Sequence, residues 1–210
     1  MQALNILAVS DTHNRHANLP VVPNIDLFIH AGDISVDGTK EEIISFVKWI
    51  NRLPYPNKVF IAGNHDVYLD GVGRQRIRRM LDKSVIYLED EAEEILGLKV
   101  YGSPSVARNG SPAFARERGN ALRSVWRHIP ADTELLVTHM PAASILDVNA
   151  RGESCGCDHL LNKVMSLKSL KAHVCGHIHG GRGSMVINGI QFHNVAYLQK
   201  VTNELTVFQL

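Results

Sequence analysis

Cysteine is scarce in this 210-residue chain, and its three copies are an odd, sparse set unlike a disulfide scaffold of the secreted type. Long apolar runs are also missing. No stretch approaches the roughly 20 residues needed to cross a bilayer. The opening Leu4-Asn5-Ile6-Leu7-Ala8-Val9 is short, has no basic residue before it and runs directly into Ser10-Asp11-Thr12-His13. It lacks the pattern of a secretory leader, so no membrane partner is expected and the expected location is the cytoplasm. Neither sign of charge is in excess. Lys and Arg total 22 against 21 Asp and Glu, for a formal net charge of +1. Such a balance gives no global attraction for nucleic acid or anionic membrane, so any phosphate recognition must be local. Nor does any repeat, low-complexity tract or linker divide the chain. Residues 1–210 read as a single domain with 45% hydrophobic content, enough for a substantial core.

What stands out is histidine, with eleven copies, and the places where it falls. The apolar run Leu4 to Val9 has the make-up of a central parallel strand and ends in Asp11-Thr12-His13. A second run, Ile25 to Ile29, ends in His30-Ala31-Gly32-Asp33. Thr39 then offers an N-cap with Glu42 completing a capping box, and Ile43, Ile44, Val47 and Ile50 follow at helical spacing up to Pro54. The strand Lys58 to Ala62 delivers Gly63-Asn64-His65-Asp66, where Gly63 is expected to permit a tight turn. Gly73 to Lys83 reads as a basic helix, and Val85 to Leu88 and Leu98 to Tyr101 as strands.

Ser105 to Gly119 is polar and irregular and carries Arg108, Arg116 and Arg118, so it is a candidate substrate loop or a solvated surface loop. Leu122 to His128 is expected to be helical, and Glu134 to Thr138 is a strand ending in His139-Met140-Pro141. After the long loop from Ala142 to Asp158 and a helix from Leu160 to Leu167, the strand Ala172 to Cys175 delivers Gly176-His177-Ile178-His179. Asn188-Gly189 signals a hairpin in a strand-rich C-terminal part.

Five strand ends thus present Asp11 and His13, Asp33, Asn64 and His65, His139, and His177 and His179. Any one of these residues could be an ordinary turn residue, but the recurrence of Asp, Asn and His alone argues for a shared purpose. Imidazole with carboxylate suits Mn, Fe, Zn or Ni, and the absence of thiolate disfavours a structural zinc site. Asp11, His13, Asp33, Asn64, His139, His177 and His179 are too many for one catalytic ion with an open position. They suit two ions sharing a carboxylate, a geometry that serves in-line displacement at phosphorus.

In type, order and spacing, Asp11-x-His13, Gly32-Asp33, Gly63-Asn64-His65-Asp66, His139 and Gly176-His177-x-His179 resemble the motif set of the calcineurin-like metallophosphoesterases. Tyr101-Gly102-Ser103-Pro104 and Thr138-His139-x-Pro141 add a similarity to the small metallophosphoesterase-domain-containing proteins of animals and their bacterial relatives. The resemblance implies a four-layer α/β/β/α sandwich. It implies that Asp11, His13 and His179 hold one divalent ion, that Asn64, His139 and His177 hold a second, and that Asp33 bridges them. Mn is the leading candidate, with Fe, Zn, Ni or Mg as alternatives. His65 would contact the phosphate and protonate the leaving oxygen, while Asp66 would support the turn.

The activity implied is hydrolysis of small phosphodiesters, cyclic nucleotides among them, by attack of a metal-bridging hydroxide. A phosphomonoesterase or Ser/Thr phosphoprotein phosphatase is the close competitor, and a nucleotide-binding or scaffold protein with little catalysis is the alternative of another class. The expected partner is a small phosphodiester or nucleotide, and a nucleic-acid polymer is disfavoured by the charge balance.

Asn64, His65, Arg108 and Arg182 are the candidate substrate contacts. Arg182 lies in Gly180-Gly181-Arg182-Gly183, where the small subfamily has Glu-Gly-Tyr-Gly, and so adds a phosphate or carboxylate binder near the site. Some animal members lack the first His of Gly-His-Ile-His, and this chain keeps it as His177. Cys155 and Cys157 read as loop or core residues, His30, His173 and His193 as core histidines, and Trp49 and Trp126 as core aromatics.

Overall fold

A computed structural model describes residues 3–108, 110, 112–197 and 205–210. In chain order the strands are β1 (Asn5–Val9), β2 (Leu27–Ala31), β3 (Asn57–Ile61), β4 (Val85–Tyr87), β5 (Glu91–Ile95), β6 (Leu98–Ser103), β7 (Val106–Ala107), β8 (Ala115–Arg116), β9 (Leu135–Thr138), β10 (Ala172–Cys175), β11 (Gly183–Ile187), β12 (Ile190–Asn194) and β13 (Thr206–Gln209). The helices are α1 (Lys40–Arg52), α2 (Val67–Val72), α3 (Arg74–Arg78), α4 (Asn120–Arg127) and α5 (Asp158–Ser166).

Two sheets organise the molecule. The first runs β13-β1-β2-β3-β4, with β1 to β4 parallel and β13 antiparallel to β1. The second runs β11-β12-β10-β9-β6-β5, parallel through its middle with antiparallel strands at both edges. Because side chains alternate across a strand, each apolar run feeds two cores. In β1 to β3, Ile6, Ala8, Leu27, Ile29, Val59 and Ile61 face the second sheet and pack with its Val100, Leu135, Val137, Ala172 and Val174. The alternate residues Leu7, Val9, Phe28 and Phe60 face outward onto Ile43, Phe46 and Ile50 of α1, Leu69 of α2 and Ile77 of α3. On the far side, Tyr101, Leu136 and Phe192 pack beneath Leu122 and Trp126 of α4 and Leu160 and Val164 of α5. The layers are therefore helix, sheet, sheet, helix, as the resemblance implied.

Local chemistry explains the element ends. The Thr39 hydroxyl accepts from the Glu42 amide at 3.3 Å while Glu42 accepts from the Thr39 amide at 2.8 Å, so the expected capping box opens α1. Leu53, which precedes Pro54, is extended and ends it. Asn188 and Gly189 both adopt positive φ, at 52° and 80°, and close the β11–β12 hairpin.

Three expectations need correction. The basic helix is shorter than Gly73 to Lys83. Gly73, at a φ of 78°, separates α3 from the unforeseen α2, and 3-residue turns replace the helix after Arg78. β5 was not foreseen because Glu91-Ala92-Glu93-Glu94-Ile95 is too acidic to read as a strand. Its carboxylates suit an edge, where charge discourages further pairing. The Ser105 to Gly119 loop also contains the two-stranded β7–β8 ribbon.

Candidate metal centre

Parallel strands point their C-terminal ends the same way, and here the ends of β1, β2 and β3 meet those of β9 and β10 across the two sheets. Backbone bonds join them. The Asp11 amide donates to the Gly32 carbonyl at 2.8 Å, and the Gly176 amide donates to the His139 carbonyl at 2.9 Å. The His177 amide reaches across to the Asp11 carboxylate at 3.0 Å. The site therefore lies at the seam between two sheets, not in the crevice of one.

Two groups of ligand atoms form at this seam. Asp11, His13 and His179 make one and Asp33, His139 and His177 the other, with the ligand atoms of each within 4.8 Å of one another. Asp33 connects them, lying 3.3 Å from His139 Nε2 and 4.0 Å from His13 Nε2. Asn64 Oδ1 stands 3.2 Å from His139 Nε2 and so joins the second group. His65 shares a third grouping with His13 and Asp33, and its ring lies edge-on to His13 with centroids 4.9 Å apart. All seven candidate ligands, with His65, are thus brought together.

The chain takes unusual conformations to achieve this. Asp11, His13, Asp33 and His177 all have positive φ, at 55°, 41°, 54° and 65°. Such left-handed non-glycine residues cost of order 1 kcal/mol or more each and concentrate at functional sites. Glycine beside the ligands has a second role, which is space. A Cβ on Gly63 would overlap the Asp33 carboxylate, and one on Gly176 would overlap Ser10 and Asp11. One on Gly32 would lie 2.5 Å from His139 Nδ1. Gly63 was expected to serve a tight turn through its conformational freedom; it is instead the close approach of Asp33 that forbids a side chain there.

Hydrogen bonds fix how the imidazoles present themselves. His13 Nδ1 lies 2.9 Å from the Ser35 carbonyl, His139 Nδ1 2.8 Å from the Ala31 carbonyl, and His65 Nδ1 2.8 Å from the Val36 carbonyl. A carbonyl only accepts, so each Nδ1 carries a proton and Nε2 is the ring atom turned to the centre. These three carbonyls are the part of the site that sequence reasoning missed, since a backbone acceptor leaves no residue-type signature. The sole available signal was their position two or three residues from Asp33.

The electrostatics fit a cation site. Burial acts to lower the His139 pKa, but the Asp33 and Asp11 carboxylates outweigh it and raise it to about 9. Burial acts to raise Asp33 and Asp11, yet the His139 charge and hydrogen bond hold Asp33 well below the usual range, and the His179 hydrogen bond with the His139 charge holds Asp11 below it. His177 is pushed down to about 4 by burial and by His139, which leaves it a neutral ligand. The carboxylates thus draw positive charge onto any group that offers it. With imidazole and oxygen donors and no thiolate, the set suits divalent ions of the Mn, Fe, Zn or Ni type.

Asp66 is fully buried and accepts from the Gly63 amide at 2.8 Å and the Ser35 hydroxyl at 2.7 Å, so it supports the turn from behind. The two candidate arginines each have partners within the chain. Arg108 Nε pairs with Glu117 at 2.7 Å across its own loop, and Arg182 Nη1 donates to the Ala196 carbonyl at 2.7 Å. Cys157 is buried and accepts from Trp126 Nε1 at 3.3 Å, the core role expected of it.

Residues 4–181 match the family model described as calcineurin-like phosphoesterase. Among curated proteins, the chain is 34% identical over 202 residues to human metallophosphoesterase domain-containing protein 1, a match that covers 85% of this chain and 61% of that one. It is 40% identical over 195 residues to a segment of the Emericella nidulans protein named probable rhamnogalacturonate lyase C, covering 88% of this chain and 18% of that one. The chain therefore spans less than two thirds of either relative. A solved crystal structure shares the fold with a TM-score of 0.72 at 13% identity, over 92% of this chain and 90% of the other. With the motif residues gathered at one seam, the fold shared and the family model matched along most of its length, this chain belongs to the calcineurin-like phosphoesterase family.

Proposed function

We propose that this protein is a metal-dependent phosphoesterase acting on small phosphodiesters. The observation that carries the reading is the pair of ligand groups, Asp11–His13–His179 and Asp33–His139–His177, joined at Asp33 with His65 beside them. Asp11, His13 and His179 would hold one divalent ion, Asn64, His139 and His177 the other, and Asp33 both. When bound, such ions lower the pKa of water and neutralise charge developing on phosphoryl oxygens.

The rest is done by the chain itself. Asp33 accepts the His65 amide at 2.9 Å, which ties the shared carboxylate to the residue that faces the phosphate. The Val36 carbonyl holds His65 Nδ1, so the proton His65 can give to a leaving oxygen is the one on Nε2. Asn64, a neutral donor and acceptor beside His139, is placed to orient a phosphoryl oxygen without adding charge. The half-buried setting of His65 leaves it open to substrate, whereas His139 is enclosed.

The test is metal-stripped protein titrated with Mn²⁺ and assayed in parallel on bis-p-nitrophenyl phosphate, p-nitrophenyl phosphate and 2′,3′- and 3′,5′-cyclic nucleotides. Mn-dependent turnover that favours diesters is the expected result. Preference for the monoester would replace the diesterase reading with a phosphatase one, and absence of turnover on every substrate would overturn the catalytic reading in favour of a binding protein.

A further inference from the structure

Two of the metal-centre histidines take their support from one loop. His13 and His65 both lean on one short segment, Ile34–Val36, which follows the shared carboxylate Asp33. The Ser35 carbonyl takes His13 Nδ1 and the Val36 carbonyl takes His65 Nδ1, so the path of this backbone sets both rings at once. Whatever fixes the segment therefore fixes an ion ligand and the phosphate-facing residue together.

The group that fixes it is Asp66. Its Oδ1 accepts from the Ile34 amide at 3.1 Å, the Ser35 amide at 3.0 Å and the Ser35 hydroxyl at 2.7 Å, and its Oδ2 accepts from the Gly63 amide at 2.8 Å. One fully buried carboxylate thus ties the loop after β2 to the loop after β3. Ser35, also fully buried, extends the tie by donating to the His65 carbonyl at 3.2 Å. A second carboxylate grips the segment from outside. Glu42 accepts from the Val36 and Asp37 amides at 3.3 Å each and from the side chain of Asn14, the neighbour of His13. Its solvent exposure makes that grip the weaker of the two.

We propose that Asp66 is a positioning residue for this centre: by holding the Ile34–Val36 backbone it sets the ring orientation and tautomer of His13 and His65. A carboxylate is required because every partner is a donor. An Asn in its place would turn an NH₂ towards an N–H or O–H and leave a buried donor unpaired. The segment would then shift, and with it the two carbonyls that hold the Nδ1 protons. The inference rests on the metal-centre reading above, but its first readout does not depend on turnover.

The test uses the zinc-loaded protein with ¹⁵N-labelled histidine, in which long-range ¹H–¹⁵N spectra report which ring nitrogen carries the proton. Wild type is expected to carry a proton on Nδ1 of both His13 and His65. Asp66→Asn should give mixed tautomers at both, together with a loss of about 10–100-fold in metal affinity and in kcat, the usual scale for groups that orient metal ligands. Ser35→Ala should move the same readouts in the same direction by less. Wild-type tautomers and metal affinity in a folded Asp66→Asn variant, even with a lowered Tm, would overturn the proposal. If that variant does not fold, Ser35→Ala decides, and unchanged spectra there would overturn it. Wild-type protein inactive on all phosphoesters would refute the catalytic reading and leave the tautomer result to judge this one.

Discussion

His139, just past the end of β9, and His173, in the neighbouring β10, are both at most 1% exposed, yet their surroundings drive their pKa values in opposite directions. Burial acts on each to lower it. At His139, the Asp33 and Asp11 carboxylates reverse that effect and raise it to about 9, whereas at His173 burial prevails with help from His193 and takes it to about 3. The contrast recurs in the first sheet, where His30 is completely buried beside the Asp11 loop and falls to about 3. Depth in the protein does not make a histidine functional. What separates His139 from His30 and His173 is a carboxylate within hydrogen-bond reach, Asp33 at 3.3 Å, as against a neutral hydroxyl: Thr12 for His30 at 2.9 Å and Thr138 for His173 at 2.7 Å.

The largest effect should come from deleting the carboxylate that defines the first class. Asp33→Asn keeps the shape of the side chain and removes the charge shared by both ligand groups. It should empty both ion positions and abolish Mn-dependent turnover to below about 1% of wild type. His13→Ala should deplete chiefly one position, since His13 belongs to the Asp11 group. Metal analysis by inductively coupled plasma mass spectrometry separates the cases, and equal loss in both variants would refute the bridging role of Asp33.

Next in size is His65→Ala. His65 borders the centre, but its amide rather than its ring is the group hydrogen-bonded to Asp33. As a proton donor to the leaving group it should cost about 10²–10⁴-fold in kcat while leaving the metal content near that of wild type. Loss of metal in this variant would make His65 a ligand and move it into the class of His139.

The same contrast explains how much was legible in the sequence. The class of His139 is visible because it comes with side-chain signatures: Gly-Asp, Gly-Asn-His and Gly-His-x-His after apolar runs, with the glycines needed where ligands crowd the backbone. The capping box, the Asn188-Gly189 turn and the core place of Trp126 were legible for the same reason, that a particular side chain does the work. The carbonyls of Ala31, Ser35 and Val36 were not, because every residue has one. Nor was the reach of Asp66, whose partners Ile34 and Ser35 lie about 30 positions away and become neighbours only when β2 and β3 pair. β5 was hidden by its acidic composition, and α2 by following directly on a cluster of turn formers.

The smallest effect concerns the other class, and it appears in stability rather than activity. The Thr138 hydroxyl gives its proton to the Met140 carbonyl at 2.7 Å, so His173 Nε2 must donate to Thr138, and burial disfavours a second proton on the ring. Its folded pKa of about 3 lies below the ordinary value of 6.5, which means that the unfolded chain binds the extra proton first. Stability from the neutral ring is therefore complete above pH 6.5 and declines as pH falls from there towards 3. Between pH 7 and pH 5 the loss should be about 1–2 kcal/mol for this residue, with His30 adding a decline of the same sign. His173→Gln keeps an amide donor for Thr138 but has nothing to protonate, so its unfolding free energy should fall by that much less over the same interval. Urea unfolding of both proteins at pH 7 and pH 5 measures the difference. Parallel pH profiles would mean that His173 is protonated in the folded protein as readily as in the unfolded chain, and the distinction between core and metal-centre histidines would then rest on something other than the neighbouring carboxylates.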